Sequence, residues 1–380
     1  MPDIDVAIVG AGPVGAAVAA LSAAPGLSIG VYEARAAPSG EARVLALSHA
    51  SRVLLEDAFA WPARHATPIT SIHISQKGGP GRTLLEAGEQ GLPALGYTVS
   101  YAALEEALLH RLREIGVEVH YGRSCEHIAL EPGRALVRFA AGEEVEARLL
   151  VLADGGANAG RIPGIAFTEK DYAQSAIIGA VRTDRAHAGR AYERFTPQGP
   201  VALLPVGDRY ALVFTAAPEE AKRLLAVDDA RFLAELQAHF GDRAGRFLSI
   251  EGRASFPLKL RAVNVNVALR TAIVGNAAQA LHPIAGQGLN LGLRDAASLA
   301  AASASVARED VGGAAMLDAY RQSRRRDASR GIAFTDFLAS AFTDGRRIPT
   351  WGRGLALAAL DLIPAARRAL AARMIHGSSE

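Results

Sequence analysis

The chain has 380 residues, half of them hydrophobic and 21% charged, enough for one large or two moderate domains with well-filled cores. Its 41 Lys and Arg against 39 Asp and Glu leave a formal net charge of +2. With only 6% aromatic residues, a basic face interleaved with aromatics, and so a nucleic-acid partner, is excluded. One cysteine, Cys125, rules out an internal disulfide and a cysteine-rich metal site and fits a reducing compartment; no metal is expected.

Asp5 to Val9 reads as a buried strand rather than a signal peptide, because Asp3 and Asp5 precede a short apolar run that breaks at once into glycines. Gly10 to Gly15 reads as a turn, Ala16 to Ser22 as a helix and Ser28 to Tyr32 as a second strand, together a βαβ unit. Ile72 to Leu85 alternates around Gly78-Gly79-Pro80-Gly81 as a hairpin does. Ser100 is placed to cap a helix over Tyr101 to Ile115, with Leu104, Leu108, Leu112 and Ile115 on one face. Val117 to Tyr121 and Leu149 to Leu152 read as further buried strands. From Ile177 to Leu260 the pattern changes to strands broken by Pro, Gly and Arg, with one helix between Asp229 and Phe240. A final apolar strand at Ala272 to Val274 returns to the first pattern.

The expected class is therefore α/β. A Rossmann-like dinucleotide-binding domain in three parts, 1–71, 98–176 and 262–345, is interrupted by a mainly β domain formed by 72–97 and 177–261. A helical tail, 346–380, follows. That tail is apolar along one face from Trp351 to Ile375 and carries Arg353, Arg367, Arg368 and Arg373, so it either docks on its own domain or meets a membrane surface. No stretch of about 18 apolar residues occurs. The expected location is cytoplasmic, with a peripheral place at the inner membrane surface open to it.

Three motifs carry the chemistry. Gly10-Ala11-Gly12-Pro13-Val14-Gly15 matches G-x-G-x-x-G; in a chain this rich in glycine a chance match arises about 0.4 times per chain, so its setting between a strand and a helix decides. Glu33 ends the next strand, where a carboxylate can accept the hydroxyls of an adenosine ribose; the bland alternative is a solvated strand-end acid. Ala153-Asp154-Gly155-Gly156 follows the strand at Leu149 to Leu152, although Asp-Gly after a strand is most often a plain turn. The third and most specific runs from Val274-Gly275-Asn276 through His282-Pro283-Ile284-Ala285-Gly286-Gln287-Gly288-Leu289-Asn290 to Arg294-Asp295. It joins a strand to a glycine-rich turn and a helix, so the N–H groups around Gly286 to Leu289 point at whatever lies before the helix, a place for negative charge.

In this order the motifs resemble those of the FAD-dependent aromatic-ring hydroxylases built like p-hydroxybenzoate hydroxylase, most closely the ubiquinone-biosynthesis hydroxylases. Gly189 to Pro205 and Ser255-Phe256-Pro257-Leu258 look like the substrate-domain strands of the 2-octaprenyl-6-methoxyphenol hydroxylase branch; the resemblance covers nearly the whole chain. It implies FAD held by Gly10, Gly12, Gly15, Glu33, Arg43, Asp154, Gly155, Asn276, Pro283, Gly286, Gly288, Leu289 and Asn290. Asn276 stands where most relatives have Asp, Gln279 where many have His, and Tyr101 where an arginine is common. The implied reaction is hydroxylation of a polyprenyl methoxyphenol in ubiquinone synthesis, with NAD(P)H and O2 as co-substrates, through a hydroperoxyflavin. The implied partners are a bilayer surface or a biosynthetic protein complex reached through the tail.

No general base is evident. His282 is the one catalytic candidate, and its place in the turn that sets Pro283 favours a structural role. No Ser-His-Asp order, histidine pair at metal spacing or P-loop is present. Three rivals stay open: a hydroxylase of the same fold acting at another ring position or on a small soluble phenol, a flavin halogenase, for which the Trp-x-Trp motif is missing, and a non-catalytic flavoprotein subunit of a membrane-surface assembly.

Overall fold

Val6 to Val9 are almost wholly buried on both faces, the environment of a central parallel strand, and they form β1 (Ile4–Val9). α1 (Pro13–Ser22) starts three residues earlier than the pattern suggests. Gly12 is its N-cap, and Pro13 suits the first helical position because its ring fixes φ and its missing N–H is not needed there. The computed structural model describes residues 2–377 apart from 24–25, 80, 141, 283–285, 344–356 and 358. Next come β2 (Ile29–Glu33), β3 (Val44–Ser48), α2 (His49–Asp57), β4 (Thr67–Ile69), β5 (Ser71–Gln76), β6 (Arg82–Glu86) and β7 (Gly96–Ser100). Ser100 accepts from the Ala103 N–H and so caps α3 (Tyr101–Glu114), whose Leu104, Leu108 and Leu112 are fully buried at roughly 2 kcal/mol each.

β8 (Val119–Tyr121), β9 (Cys125–Glu131), β10 (Arg134–Phe139) and β11 (Glu144–Leu152) complete the first half of the chain. β8 is only half-buried, not buried as its apolar residues suggest, because it is the edge strand beside β2. β12 (Phe167–Thr183), β13 (Arg190–Thr196), β14 (Gly199–Val206) and β15 (Arg209–Ala216) lead to two helices where one is expected: α4 (Pro218–Ala226) and α5 (Asp229–Phe240). The missed helix does carry a start signal, proline at its first position with Glu219 and Glu220 in its first turn. β16 (Phe247–Val263), β17 (Val267–Ala268), β18 (Thr271–Ile273), β19 (Gln279–Ala280), α6 (Gln287–Ala304), α7 (Ala314–Thr343) and α8 (Pro364–His376) finish the chain.

The strands form three sheets. One runs β17-β18-β11-β1-β2-β8, with β18, β11, β1, β2 and β8 parallel, and it carries the β9–β10 hairpin at β11. The second, eight-stranded, runs β19-β16-β12-β15-β14-β13-β5-β6, and β3-β7-β4 make a third. The expected hairpin is β5–β6.

Two features position the site. α1 packs on α6 closely enough that a Cβ on Gly292 would lie 2.6 Å from a Val14 methyl, so the two helix starts converge behind one edge of the parallel sheet. In the large sheet, one face is covered by α4 and α5 over Ile177, Leu203, Leu212 and Phe214. The other, inner face looks back toward β3, β7 and α8; α8 buries Ala371 and Ile375 against Phe195, Ile74 and Leu85, and Arg367 pairs with Glu89. The described part of the tail thus docks on its own chain; 351–356 lie outside the described residues.

Candidate functional site

The parallel order places the motif loops in a line. At the carboxyl ends of β2, β1, β11 and β18 stand Glu33, the turn from Gly10, Asp154-Gly155 and Asn276, in that spatial sequence, which is the crevice where α/β sheets bind ligands. Glycine is required here for two different reasons. Gly10 has φ +106°, and a Cβ on it would meet the Ala153 carbonyl oxygen at 2.6 Å; on Gly15 it would lie 2.0 Å from the Gly10 carbonyl oxygen. Those two let the loops and α1 close on each other. In contrast, a Cβ on Gly155 or Gly288 would touch nothing within 4 Å, and one on Gly12 only the Tyr101 hydroxyl at 3.6 Å. Those three leave backbone open to a ligand.

Glu33 accepts from the Ala11 N–H at 2.8 Å and is paired with Arg35. Burial raises its pKa, but Arg35 and the backbone donors outweigh burial and hold the carboxyl below its usual range. It is an anion fixed at the end of β2. Arg35 also reaches Glu105, whose other oxygen accepts from the Ser39 N–H, so the loop after β2 is held by carboxylates. Exposed Arg43 lies 5.0 Å over the Tyr101 ring and pairs with Glu41. Tyr101 thus serves as a platform for Arg43 beside the glycine turn. Asp154 spends its carboxylate on its own loop, accepting from the Gly156 and Asn158 N–H groups and the Asn158 amide, and so presents Gly155 rather than itself.

The late motif divides in the same way. Asn276 is exposed toward the crevice in the short 3-10 turn Gly275–Ala277. Gly286 is the left-handed N-cap of α6, at φ +59°, and Gly288 and Leu289 lie half-exposed in its first turn, where the N–H groups of a helix have no partner within the helix. Pro283, with 284–285, lies outside the described residues. Asn290 departs from the expected cofactor contact: its oxygen accepts from the Ser48 N–H and the Ser51 hydroxyl, and its NH2 donates to the Ala46 and Gly286 carbonyls. All four hydrogen-bonding capacities are used inside the protein, so this side chain staples α6 to β3 and α2.

Gln279 donates to Asp295, which also accepts from the Gly275 N–H and pairs with Arg324 at 2.7 Å; Arg324 and Arg294 both reach Asp327. This buried chain of charges braces the Asn276 turn from behind, and sequence reasoning missed it because its members look like ordinary helix-surface charges. His282 is buried, edge-on to Tyr172 with ring centroids 5.1 Å apart, and burial pushes its pKa down to about 4. Its imidazole is therefore neutral near pH 7.

The geometry suits an extended dinucleotide with an anionic middle: a carboxylate for a ribose at one end, backbone donors at Gly12, and a second helix N-terminus at the other. The chain belongs to the FAD binding domain family, whose model matches residues 3–335. It is 35% identical over 378 residues to the ubiquinone hydroxylase UbiL of Rhodospirillum rubrum, covering 94% of this chain and 86% of that one. It is 33% identical over 308 residues to the 3-demethoxyubiquinol 3-hydroxylase of Escherichia coli, with 78% of each chain covered. Its fold is that of Klebsiella pneumoniae HpxO, solved with FAD and uric acid, at a TM-score of 0.77 and 18% identity, covering 100% of this chain and 99% of that one. The chain is a flavin monooxygenase, with FAD as cofactor and NAD(P)H as co-substrate.

Proposed function

We propose that this enzyme hydroxylates the aromatic ring of a polyprenyl methoxyphenol in ubiquinone synthesis. The observation that carries the reading is the line of open backbone at Gly12, Gly155, Asn276 and Gly288 beside the apolar inner face of the large sheet. Glu33 would hold the adenosine ribose, the start of α1 the pyrophosphate, Asn276 the ribityl chain, and the start of α6 the electron-accepting end of the ring system. When bound and reduced by NAD(P)H, FAD supplies activation of O2 and delivery of one oxygen atom to an electron-rich ring, the other leaving as water. The protein's part is to bind and shelter. The inner face offers Ile178, Ala202, Leu204 and Val213, which exclude water and suit a flat ring with an aliphatic tail.

A polyprenyl chain is delivered from a bilayer or a partner protein. Leu362 and Ile363, 80% and 51% exposed just before α8, are the contact we assign to that surface. Because Ala371 and Ile375 are core residues, Leu362→Glu with Ile363→Glu tests this more cleanly than deleting the tail; loss of co-sedimentation with vesicles or partner proteins, with flavin retained, is the expected result. Hydroxylation at another ring position is favoured by the likeness to the 3-demethoxyubiquinol 3-hydroxylase.

The deciding experiment is anaerobic flavin reduction by NADPH, then NADH, with and without a short-chain prenyl methoxyphenol, followed by admission of air. Faster reduction with the phenol and a hydroxylated product support the reading, and the product's substitution pattern fixes the ring position. Tight FAD with no response to the phenol overturns the substrate assignment.

A further inference from the structure

We infer that Glu193 is the catalytic residue that binds the substrate's ring hydroxyl and accepts its proton; this rests on the phenol hydroxylation reading above. Side chains alternate along β13. Tyr192 and Arg194 face α5, where the Tyr192 hydroxyl donates to the Arg243 carbonyl and Arg194 reaches the His239 carbonyl. Glu193 therefore shares the inner face with Phe195, which packs against Ile74 and Ile375.

The strand register places Glu193 in one row across the sheet. Ala254 pairs with Ile178, Ile178 with Val213, Val213 with Ala202, Ala202 with Glu193, and Glu193 with Ile74. Among these six residues it is the only one that ionises. Its carboxyl makes no hydrogen bond or ion pair among the described residues, whereas Glu251, elsewhere on the same sheet, pairs with Arg209. The small side chain of Ala202 beside it leaves room for a ring. β14 meets β4 and β7, and β16 pairs with β19 of the late motif, so the inner face is flanked by the cofactor-binding part on two sides.

Burial alone raises the Glu193 pKa to about 7, with no charged group contributing. An acid so poised is matched to taking a proton near neutral pH. In the step proposed, the phenol O–H bond breaks and its proton goes to a Glu193 carboxylate oxygen. The electron pair stays on the substrate oxygen and enriches the ring carbons ortho and para to it. Oxygen comes from O2 through reduced FAD, as above. When the hydroxylated carbon loses its hydrogen as a proton, the ring is aromatic again, the phenolate is reprotonated, and Glu193 returns its proton to solvent.

The test uses oxidised holoenzyme, wild type, Glu193→Gln and Glu193→Asp, with 2-methoxy-6-prenylphenol and its O-methyl ether as probes. Difference absorbance reads phenolate formation on binding; flavin content and Tm read folding. The wild type is expected to bind the phenol with a phenolate band at a pH where the free phenol shows none. Glu193→Gln is expected to lose the band and bind the phenol at least tenfold more weakly, with partial recovery in Glu193→Asp. Both proteins should bind the ether equally, and the Tm of Glu193→Gln should match or exceed wild type. A Glu193→Gln enzyme that keeps the band and the affinity overturns the assignment. So does one that loses phenol and ether binding in parallel with a lowered Tm, the signature of a purely structural role. If the wild type binds neither probe, the phenol reading itself fails, and this inference with it.

Discussion

Along the carboxyl edge of the parallel sheet the proposed cofactor site is built from main chain: Gly10 and Gly15 let segments touch, Gly12, Gly155 and Gly288 leave backbone open, and the carboxylates of Glu33 and Asp154 hold loops in place. On the inner face of the large sheet the proposed substrate surface is a row of side chains on six strands, mostly small and apolar, in which Glu193 is the one carboxyl. The first arrangement is written in short, contiguous motifs. The second exists only when residues more than 100 positions apart pair, as Ile74 does with Glu193. Main-chain recognition thus tolerates little change at a few positions, while the side-chain surface can change its ligand without disturbing the cofactor.

The largest test is directed at the brace behind the edge. Asp295→Ala leaves Arg324 and Arg294 to share the single carboxylate of Asp327, one buried positive charge in excess, and is expected to cost about 3 kcal/mol, read as a lowered urea midpoint and FAD loss on gel filtration. A stable, flavin-replete variant would remove the brace from the account. Next, Gly15→Ala forces a carbonyl aside and is expected to destabilise by about 2–3 kcal/mol and to yield protein with little flavin, measured from the visible spectrum.

His282 gives a pH-dependent test. Its folded pKa of about 4 lies below its unfolded value, so the unfolded chain binds the extra proton; stability present above about pH 6.5 is lost as pH falls towards 4. Between pH 7 and pH 5 this amounts to about 2 kcal/mol, and denaturation of His282→Gln over that range should show a correspondingly flatter slope. An unchanged slope would mean that the imidazole titrates in the fold as it does in the unfolded chain.

Two smaller changes separate the carboxyl edge from the inner face. Ala202→Phe should leave flavin content intact while raising the KM for a prenyl phenol about tenfold, equal to about 1.4 kcal/mol; flavin loss would show that the two regions are not separable. Gly288→Ala should stabilise the apoprotein by about 0.5–1 kcal/mol, since alanine is the better helix residue and its Cβ meets nothing. It should also speed FAD release by crowding the open helix end. Slower release would place the cofactor elsewhere.

What the sequence made legible follows the same division. The order β1-turn-α1-β2, the capped α3 and the late glycine turn were readable because each signal lies within about fifteen residues. Asn290 sits inside a recognisable motif, yet its partners are Ser48, Ser51 and the Ala46 and Gly286 carbonyls, so a motif-level reading takes a staple for a ligand contact. α4 is nine residues long and broke no expected strand pattern, which left its proline start without weight. Glu193 lies in a segment that already resembled a substrate-domain strand, but only the register shows that it stands alone among apolar neighbours.

One joint in the architecture bears on how substrate enters. β19, from the late motif, pairs with β16 at Arg261 and Ala262, so the cofactor turn and the large sheet are one continuous main-chain ladder on that side. On the far side, among the described residues, β5, β6 and the turn after them are closed by α8 and the residues just before it, through a patch of apolar contacts, the Arg367–Glu89 pair and hydrogen bonds from the Leu84 N–H to Asp361 and from Gln90 to the Arg368 carbonyl. The enclosure is stitched along one margin and clasped along the other. The clasp is the weaker closure, and it opens without breaking a strand pair. The long-tailed substrate proposed above would therefore enter beside α8, next to the exposed Leu362 and Ile363 assigned to its source.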